Sequence, residues 1–489
     1  MRLESLAACA TAELVARPER RVEITGITCD SRNVKAGDLF AALPGSKVDG
    51  SVYAKQAAEL GAAAILCERP DPLTALPQLV CKDARLGLAQ AARAFYGYPD
   101  RALKVGAVTG TNGKSTTAYL VRHLLKSCGI PCGMLGTIEY DLGAQIVEAP
   151  LTTPESLDIH RYFRKMADSG CGAAMMEVSS HSLCQQRVSG IDFTVGVFTN
   201  LTQDHLDYHR TMEEYREAKG ILFRNLSKDA VAVLNLDDAA SAYYTKNTVA
   251  KVLSFSLNNT GDLCGRIRSM DIRGTRFQID TPWGKRQVIW SLVGAHNVQN
   301  CLGAVAAAMA LGANFDRVIE ALSNFSGVPG RLESVGDPEK IPFRILVDYA
   351  HTDDALRSVM RAIRELKPSR LIAVFGCGGD RDRTKRPKMA RAVEELADLG
   401  VITSDNPRTE DPQAIIADIW KGIQHESKFI VEADRAKAID MAIREARPGD
   451  VVLIAGKGHE NYQIFGKEKR HFSDVESATA ALVKNGWPR

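Results

Sequence analysis

The segment with the clearest potential for chemistry is a glycine-rich loop, Gly110-Thr-Asn-Gly-Lys-Ser-Thr-Thr117. Glycines let backbone N–H groups turn towards a phosphate, and the N-terminus of a following helix adds partial positive charge. Lys114 could reach the terminal phosphates of a nucleotide, and the Ser115 hydroxyl could hold Mg²⁺. The spacing is not that of a complete GxxxxGK[ST] motif, because Val108 stands five residues before Gly113. A plain glycine turn before a helix is the alternative interpretation.

A carboxylate follows a second apolar run. Glu177 comes directly after Ala173-Ala-Met-Met176, which places it at the end of a predicted strand. Hard cations prefer oxygen ligands, so a carboxylate in this position suits Mg²⁺. A capping or salt-bridging role is the alternative.

Lys219 lies on the predicted helix 212–226 and shares a face with Tyr215, Leu222 and Phe223. Desolvation on such a face lowers the pKa of a lysine and favours a neutral amine. A neutral amine can take up CO₂ as a carbamate, which would turn this side chain into an anion able to face Mg²⁺. A snorkelling lysine is the alternative that the spacing alone favours.

The elements that must position these groups alternate in type along the chain. Strand, loop and helix follow one another from about residue 104 onwards, which predicts doubly wound parallel sheets with ligands at the carboxyl ends of strands. The first 100 residues or so hold short apolar runs and polar turns, typical of a small α/β domain. The predicted strands after it are 104–109, 173–177, 195–200, 230–235, 345–348, 371–375, 401–404 and 451–455.

Composition restricts the class of protein. The chain has 489 residues, of which 45% are hydrophobic and 25% charged, as in ordinary globular proteins. A net charge of +3 is too balanced to argue for nucleic acid or an anionic membrane as a partner. The longest apolar run, 301–313, suits a buried helix better than a membrane span. The 11 cysteines are scattered without a CxxC pair, so we expect a reducing cytoplasm and no zinc site.

Further short motifs follow in order along nearly the whole chain, and with the glycine loop they resemble the Mur ligase family, which includes folylpolyglutamate synthases. These motifs are Thr152-Thr-Pro154, Glu177-Val-Ser-Ser-His181, Thr199-Asn-Leu-Thr-Gln-Asp-His-Leu-Asp-Tyr-His209, Asn297-Val-Gln-Asn300, Gly330-Arg-Leu-Glu333, Val347-Asp-Tyr-Ala-His-Thr352, Asp405-Asn-Pro-Arg408 and Gly456-Lys-Gly-His-Glu460.

The resemblance implies an α/β fold with three domains. A small N-terminal α/β domain, residues 1–100, would bind a UDP-sugar. The central domain, residues 101–330, would bind ATP on a P-loop-type, mostly parallel sheet with helices on both faces. A Rossmann-like C-terminal domain, residues 331–489, would bind the amino acid.

The resemblance also implies an activity. ATP would phosphorylate a carboxylate, and an amine would attack the resulting acyl phosphate. The implied substrates are UDP-MurNAc-L-Ala-D-Glu, meso-diaminopimelate and ATP, and the products would be a peptidoglycan precursor, ADP and phosphate. Mg²⁺ is the implied cofactor. We expect a cytoplasmic monomer that binds neither nucleic acid nor membrane.

The implied functional residues are assigned by position. Catalytic roles fall to Lys114, Lys219 and His205, with Lys219 carbamylated, and the Mg²⁺ contacts fall to Ser115, Glu177 and His205. The ATP-binding residues would be Gly110, Thr111, Asn112, Gly113, Lys114, Ser115, Thr116, Asn297, Asn300, Arg331 and Asp348. The residues that bind the UDP-sugar-peptide would be Ser31, Ser46, Lys47, Val48, Thr152, Thr153, Ser179, Gln185 and Arg187. One departure is His296, which stands where the family often has an aromatic residue.

The choice of amino acid depends on the cluster after strand 401–404. Diaminopimelate differs from lysine by a carboxylate beside its distal amine. A guanidinium binds a carboxylate through two hydrogen bonds, and a nearby carboxylate or amide can hold the ammonium. The residues expected to bind diaminopimelate are Arg381, Asp405, Asn406, Pro407, Arg408, Gly456 and Glu460.

Three alternatives remain open at this stage. A lysine-adding relative would be expected to lack Arg408. A folylpolyglutamate synthase-like ligase would share the central chemistry, but the N-terminal domain and the 405–408 cluster argue against it. A non-catalytic nucleotide-binding module is a different class, and the joint presence of Lys114, Ser115, Glu177 and Lys219 argues against it.

Overall fold

The computed structural model describes residues 1–15, 21–45, 48–72, 74–337 and 339–488. The chain divides into two compact units, residues 1–263 with 301–318 and residues 264–300 with 319–489. In the described part of the chain, no helix combines the length and the apolar character needed to cross a bilayer.

The first sheet has five short strands in the spatial order β1-β5-β4-β3-β2. Only β1 runs antiparallel, against β5. Alternate residues enter opposite faces: Leu39 and Leu66 join one apolar cluster, and Phe40 and Ile65 join the other. The elements are α1 Leu3–Cys9, β1 Glu13–Val15, β2 Gly26–Thr28, β3 Asp38–Ala41, α2 Ala54–Glu59, β4 Ala64–Cys67, β5 Gln78–Val80 and α3 Ala84–Phe95.

The central sheet of the same unit is built around β6, which lies between β11 and β10. Strands β6, β7 and β10 to β13 pair in parallel, and β8 and β9 add an antiparallel edge. The elements are β6 Lys104–Thr109, α4 Lys114–Ser127, β7 Cys132–Leu135, β8 Glu139–Asp141, β9 Ile146–Glu148, α5 Ser156–Asp168, β10 Ala173–Glu177, α6 Ser180–Cys184, β11 Phe193–Phe198, α7 Leu206–His209, α8 Met212–Arg224, β12 Val231–Asn235, α9 Ala240–Lys246 and β13 Lys251–Ser256.

This strand order places the glycine loop at a switch point. From β6 the chain passes first to one side of the sheet and later returns to the other side at β11, so the loops after β6 and β11 leave a crevice at the carboxyl edge. The strands are buried on both faces, as parallel sheets require. One residue of α5, Leu157, packs away from this sheet, in the apolar cluster that contains Leu39 and Leu66.

An antiparallel meander and two helices follow, and their bounds are β14 Leu263–Asp271, β15 Gly274–Thr281, β16 Gly284–Trp290, α10 Ala295–Ala310 and α11 Phe315–Leu322. The apolar run 301–313 was predicted to be a buried helix, and the part of α10 from Cys301 to Ala308 is indeed fully buried.

The C-terminal sheet has the order β17-β18-β22-β19-β20-β21, with β17 alone antiparallel. Leu346, Phe375 and Leu453 enter one apolar cluster, while Val347 and Val374 enter another, so helices cover both faces. The elements are β17 Glu333–Val335, β18 Arg344–Asp348, α12 Asp353–Glu365, β19 Leu371–Phe375, α13 Lys385–Leu396, β20 Leu399–Ile402, α14 Pro412–Trp420, β21 Phe429–Val431, α15 Arg435–Glu445, β22 Val451–Ala455, β23 Tyr462–Phe465, β24 Glu468–His471 and α16 Asp474–Lys484. The predicted α/β class is confirmed.

Candidate active site

At two positions the glycine loop adopts a backbone conformation that strongly favours glycine. Gly110 has φ +153° and Gly113 has φ +85°, and α4 begins at Lys114 directly after Gly113. The Lys114 ammonium folds over the loop and donates to the carbonyls of Gly110 at 2.9 Å and Thr111 at 2.8 Å. A backbone cradle at a helix N-terminus, with a lysine beside it, fits the phosphates of a nucleotide.

The segment after β11 braces this loop. The Thr199 hydroxyl donates to the Asn112 carbonyl at 2.6 Å, and the Asn112 N–H donates to Asn200 Oδ1 at 2.9 Å. A Cβ on Gly110 would lie 1.8 Å from Thr199 Oγ1, so no side chain fits there. Thr199 and Asn200 thus hold the glycine loop in place, which their position within the 199–209 motif did not predict.

Glu177 ends β10 with its side chain fully buried. Its two oxygens accept 2.9 Å hydrogen bonds from the N–H and the hydroxyl of Thr137, which are neutral donors. A buried carboxylate held in this way is a strong ligand for a cation. Within the described ranges no group of three or more His, Cys, Asp or Glu side chains could hold a metal. Mg²⁺ commonly takes one or two protein ligands plus phosphate and water, so Glu177 with Ser115 fits it.

His205 lies on the surface rather than in a closed metal shell. It has φ +53° and its ring Nε2 is 3.5 Å from Asp204 Oδ2. The ring is nearly perpendicular to the rings of His181 and Tyr215, with centroid distances of 4.9 Å and 6.0 Å, respectively. The metal role of His205 therefore stays a prediction.

Lys219 is buried on α8, with 1% of its surface exposed. Its Nζ donates to the Gly110 carbonyl at 3.0 Å and lies 4.3 Å from the centroid of the Tyr215 ring. Burial, and secondarily the positive charge of Lys114, hold the pKa of the Lys219 amine well below its usual value. The two lysines thus meet at one carbonyl oxygen, and this arrangement favours a neutral amine at Lys219.

The predicted sugar-peptide residues that follow β9 and β10 form one network. Thr153 Oγ1 donates to the Glu177 carbonyl at 2.9 Å and accepts from the Ser179 N–H at 3.1 Å. Arg187 donates to the Thr153 carbonyl at 2.9 Å and to Gln185 Oε1 at 2.7 Å.

Thr152 joins the same region through a hydrogen bond between the Thr152 and Thr137 hydroxyls, whose oxygens are 3.1 Å apart. Ser31 is buried in a short turn capped by Asp30, and Val48 is exposed. Ser46 and Lys47 lie outside the described residues.

The predicted nucleotide residues of the second unit fall into two pairs. The Asn297 amide donates to the Val293 carbonyl at 2.8 Å, and the Asn300 amide is 3.4 Å from Asn297 Oδ1. Asp348 accepts the Leu332 N–H at 2.8 Å, and burial raises its pKa.

Arg331 lies beside that carboxylate, with its guanidinium carbon 5.3 Å from the centroid of the Tyr349 ring. His296 is exposed, and its ring occupies the space where a Cβ on Gly294 would stand.

The predicted amino-acid residues other than Arg381 lie just after the carboxyl ends of β20 and β22. Asp405 is buried, and among the described residues its Oδ1 has no hydrogen-bond partner. The Asn406 amide donates to Glu460 Oε2 at 3.0 Å. A Cβ on Gly456, which has φ +120°, would lie 3.1 Å from Asp405 Oδ2. A buried carboxylate with an oxygen that accepts no hydrogen bond, beside a second carboxylate, is suited to an ammonium ligand.

Arg408 follows Asp405 and Asn406 in the same loop and is held by one backbone and one side-chain hydrogen bond. It has φ +52°, its N–H donates to the Ile464 carbonyl at 2.9 Å, and its guanidinium donates to the Gly379 carbonyl at 2.8 Å. A Cβ added to Gly379 would lie 1.9 Å from the Pro407 carbonyl oxygen. The loops that carry Gly379 and Pro407 can therefore come this close only because residue 379 is a glycine. The exposed Arg381 follows the Gly378–Gly379 turn.

Lys457 lies within the motif Gly456–Glu460, but its sequence position did not assign it to the candidate site. Its side chain is completely buried and its Nζ contacts Asp405, Asn406 and Glu460. The signal in the sequence was a lysine between two glycines.

Three stretches of the chain match family models of Mur ligase domains. These are "Mur ligase family, catalytic domain" over residues 23–96, "Mur ligase middle domain" over residues 108–308, and "Mur ligase, glutamate ligase domain" over residues 330–458.

Full-length relatives share close to half of the sequence. The chain is 44% identical over 490 residues to a UDP-N-acetylmuramoyl-L-alanyl-D-glutamate–2,6-diaminopimelate ligase from Bacillus velezensis. This alignment covers 99% of each of the two chains. It is 45% identical over 475 residues to a protein of the same name from Gloeobacter violaceus, and that alignment covers 95% of this chain and 94% of the relative. A solved structure of a protein of that name is 36% identical, with a TM-score of 0.70 over 94% of this chain and 95% of the other.

Proposed function

Because this chain belongs to the Mur ligase family of ATP-dependent amide-forming ligases, we propose that it adds meso-diaminopimelate to UDP-MurNAc-L-Ala-D-Glu. Mur ligases use ATP and Mg²⁺. The bond formed would join an amine of diaminopimelate to the D-Glu carboxylate, with ADP and phosphate released. The family resemblance inferred from the motifs is confirmed by the full-length relatives.

The first unit would carry the phosphoryl transfer. In this proposal the N–H groups of residues 110–116 and the Lys114 ammonium would hold the phosphates, and Ser115, Glu177 and His205 would hold Mg²⁺, which would supply positive charge to the phosphate oxygens. Carbamylated Lys219 would supply a further anion beside the metal. The observation that supports this last role is the shared hydrogen bond of Lys114 and Lys219 to one carbonyl.

The acceptor side rests on one observation: Asn406 contacts Glu460, and both Asn406 and Arg408, two residues apart in one loop, hydrogen-bond to the backbone of Ile464. The distal end of diaminopimelate carries one carboxylate and one ammonium. The Arg408 guanidinium suits the carboxylate, and Asp405, Asn406 and Glu460 suit the ammonium. Lysine has no second carboxylate, so a lysine-adding enzyme would leave Arg408 without a ligand group.

The remaining assignments are part of the same proposal. Residues 1–100, 101–330 and 331–489 would bind the UDP-sugar, the nucleotide and the amino acid, respectively. The enzyme would act as a monomer in the cytoplasm, where ATP is supplied. Light scattering of the purified chain tests the monomer.

A competition assay tests the activity. Phosphate release is measured with ATP, Mg²⁺ and UDP-MurNAc-L-Ala-D-Glu, while meso-diaminopimelate, lysine and ornithine compete as acceptors. We expect release to depend on diaminopimelate. A preference for lysine would favour the lysine-adding alternative. Release only with a folate and glutamate would favour the folylpolyglutamate synthase alternative, and no release with any acceptor would favour a non-catalytic module.

Arg408→Lys tests the selectivity. An ammonium cannot reproduce the two parallel hydrogen bonds of a guanidinium, so the KM for diaminopimelate should rise by about tenfold or more while the KM for ATP changes little. Equal changes in the two KM values would indicate that Arg408 only supports the loop.

A further inference from the structure

Lys457 binds the residues proposed to hold the distal ammonium, yet it is itself a cation. Its Nζ donates to Glu460 Oε2 at 3.2 Å and to Asn406 Oδ1 at 3.3 Å, and it lies 3.6 Å from Asp405 Oδ1. None of its side chain is exposed. A buried lysine is costly unless it is paired, and here it is paired with two carboxylates.

The loop that carries Lys457 is shaped to bury it. Gly456 and Gly458 on either side have φ +120° and +55°, where other residues are strained. A Cβ on Gly456 would lie 3.1 Å from Asp405 Oδ2, and one on Gly458 would lie 2.7 Å from the Tyr349 Cβ. The backbone thus passes close to Asp405 on one side of Lys457 and close to Tyr349 on the other, which leaves no room for side chains beside the buried lysine.

Lys457 also fixes the orientation of a neighbouring amide. Asn406 Oδ1 accepts from both Lys457 Nζ and the Ile464 N–H, the latter at 3.0 Å. With its oxygen occupied by two donors, Asn406 turns its Nδ2 towards Glu460, at 3.0 Å. Removal of the ammonium would leave the Asn406 amide held only by the Ile464 N–H and by Glu460.

We propose that Lys457 is a positioning residue that sets the charge of the amino-acid pocket and thereby its preference for a distal carboxylate. Asp405 and Glu460 carry two negative charges, and Lys457 neutralises one. The remaining negative charge matches one ammonium, while Arg408 matches one carboxylate. Without Lys457 the pocket has an excess negative charge, which favours an acceptor whose distal end is only cationic, such as lysine. This inference rests on the proposed function.

The test compares Lys457→Met, which removes the charge, with Lys457→Arg, which retains it. Phosphate release is measured with diaminopimelate and with lysine for each enzyme. We expect Lys457→Met to raise the KM for diaminopimelate by about tenfold or more, with the KM for ATP within about twofold. The ratio of kcat/KM for diaminopimelate over lysine should fall by about tenfold or more, and Lys457→Arg should retain most of it.

Two controls separate selectivity from folding. Lys437→Met removes an exposed lysine of the same unit, with 71% of its side chain accessible, and should leave the ratio unchanged. Thermal unfolding of every variant is recorded, and Lys457→Gln is run in parallel because it keeps a donor without charge. A ratio that falls with Gln but not with Arg supports the inference.

A ratio that stays constant in Lys457→Met and Lys457→Gln, while kcat falls equally for both acceptors, would overturn the inference and leave Lys457 a structural residue. That result is distinct from failure of the proposed function. If the unsubstituted enzyme releases no phosphate with diaminopimelate, the proposed function is wrong. If it does and only the ratio is insensitive to Lys457, this inference alone is wrong.

Discussion

Truncation of Lys219 to alanine should remove most of the activity while leaving the fold intact. The physical reason is the meeting of two lysines at one oxygen. The Gly110 carbonyl accepts from Lys114 at 2.9 Å and from Lys219 at 3.0 Å. If both amines were charged they would repel each other within a buried site. A carbamate on Lys219 replaces that repulsion by attraction.

The size of the effect follows from these two distances. The nitrogens can be no farther apart than about 6 Å, and two unit charges at that separation interact by about 3 kcal/mol or more at an effective dielectric constant of about 20. Since burial favours a neutral amine at Lys219, a carbamate there would add an attraction of about 3 kcal/mol to Lys114, which corresponds to about a hundredfold in rate. Removal of one such electrostatic group commonly lowers kcat by about 10²–10³, and we expect a loss of this order.

The assay is phosphate release by Lys219→Ala, with and without short-chain carboxylates such as formate or acetate. A small carboxylate can enter the space left by the side chain, so part of the activity should return. Lys246→Ala on the exposed end of α9 is the control and should behave like the unsubstituted enzyme. Carbon-13 bicarbonate should give a carbamate signal that is lost in Lys219→Ala. Unchanged kcat in Lys219→Ala, together with no carbamate signal, would refute the reasoning.

Two further predictions concern stability. Gly330→Ala should lower the free energy of unfolding by at least about 1–3 kcal/mol, because Gly330 has φ +66° and the new Cβ would lie 2.1 Å from the His459 nitrogen. Unfolding in urea measures this loss. Gly486→Ala is the control, at φ +81° with open space around it, and should lower the free energy of unfolding by less. Equal losses in the two variants would contradict the close approach of Gly330 to His459. Burial lowers the pKa of His160 to about 4, whereas an unfolded histidine titrates near 6.5. Below pH of about 6.5 only the unfolded chain takes up this proton, so stability should fall towards pH of about 4 by up to about 1.4 kcal/mol per unit. His160→Phe should reduce the number of protons taken up on unfolding between about pH 4 and about pH 6.5 by about one. A pH dependence of stability identical to that of the unsubstituted protein would contradict this prediction.

The strands that carry the site were predictable because each is short, apolar and bounded by polar residues. Strands 104–109, 173–177, 371–375 and 451–455 were predicted with the bounds that the structure has. The antiparallel meander β14–β16 was not predicted, since its strands alternate polar and apolar residues only weakly and contain several arginines. Periodicity detects buried parallel strands more readily than half-exposed ones.

Residues of the candidate site could be proposed from the sequence where a motif has a chemical reason of its own, as for Lys114 and Arg408. Lys457 and Thr199 could not be assigned, because their role depends on contacts with residues far away in sequence. Lys457 meets Asn406 across 51 positions, and Thr199 meets Asn112 across 87. Only the sheet order, which brings these loops to one edge, reveals such pairs.

The place of Leu157 has a consequence for the order in which the chain is made. This residue of α5 completes an apolar cluster otherwise built from Leu3, Leu39, Leu66 and their neighbours in the first hundred residues. A nascent polypeptide that has reached only α3 leaves the ribosome with that cluster still open to water. The N-terminal part should therefore reach its final stability only after α5 has been synthesised, which ties its maturation to that of the following segment.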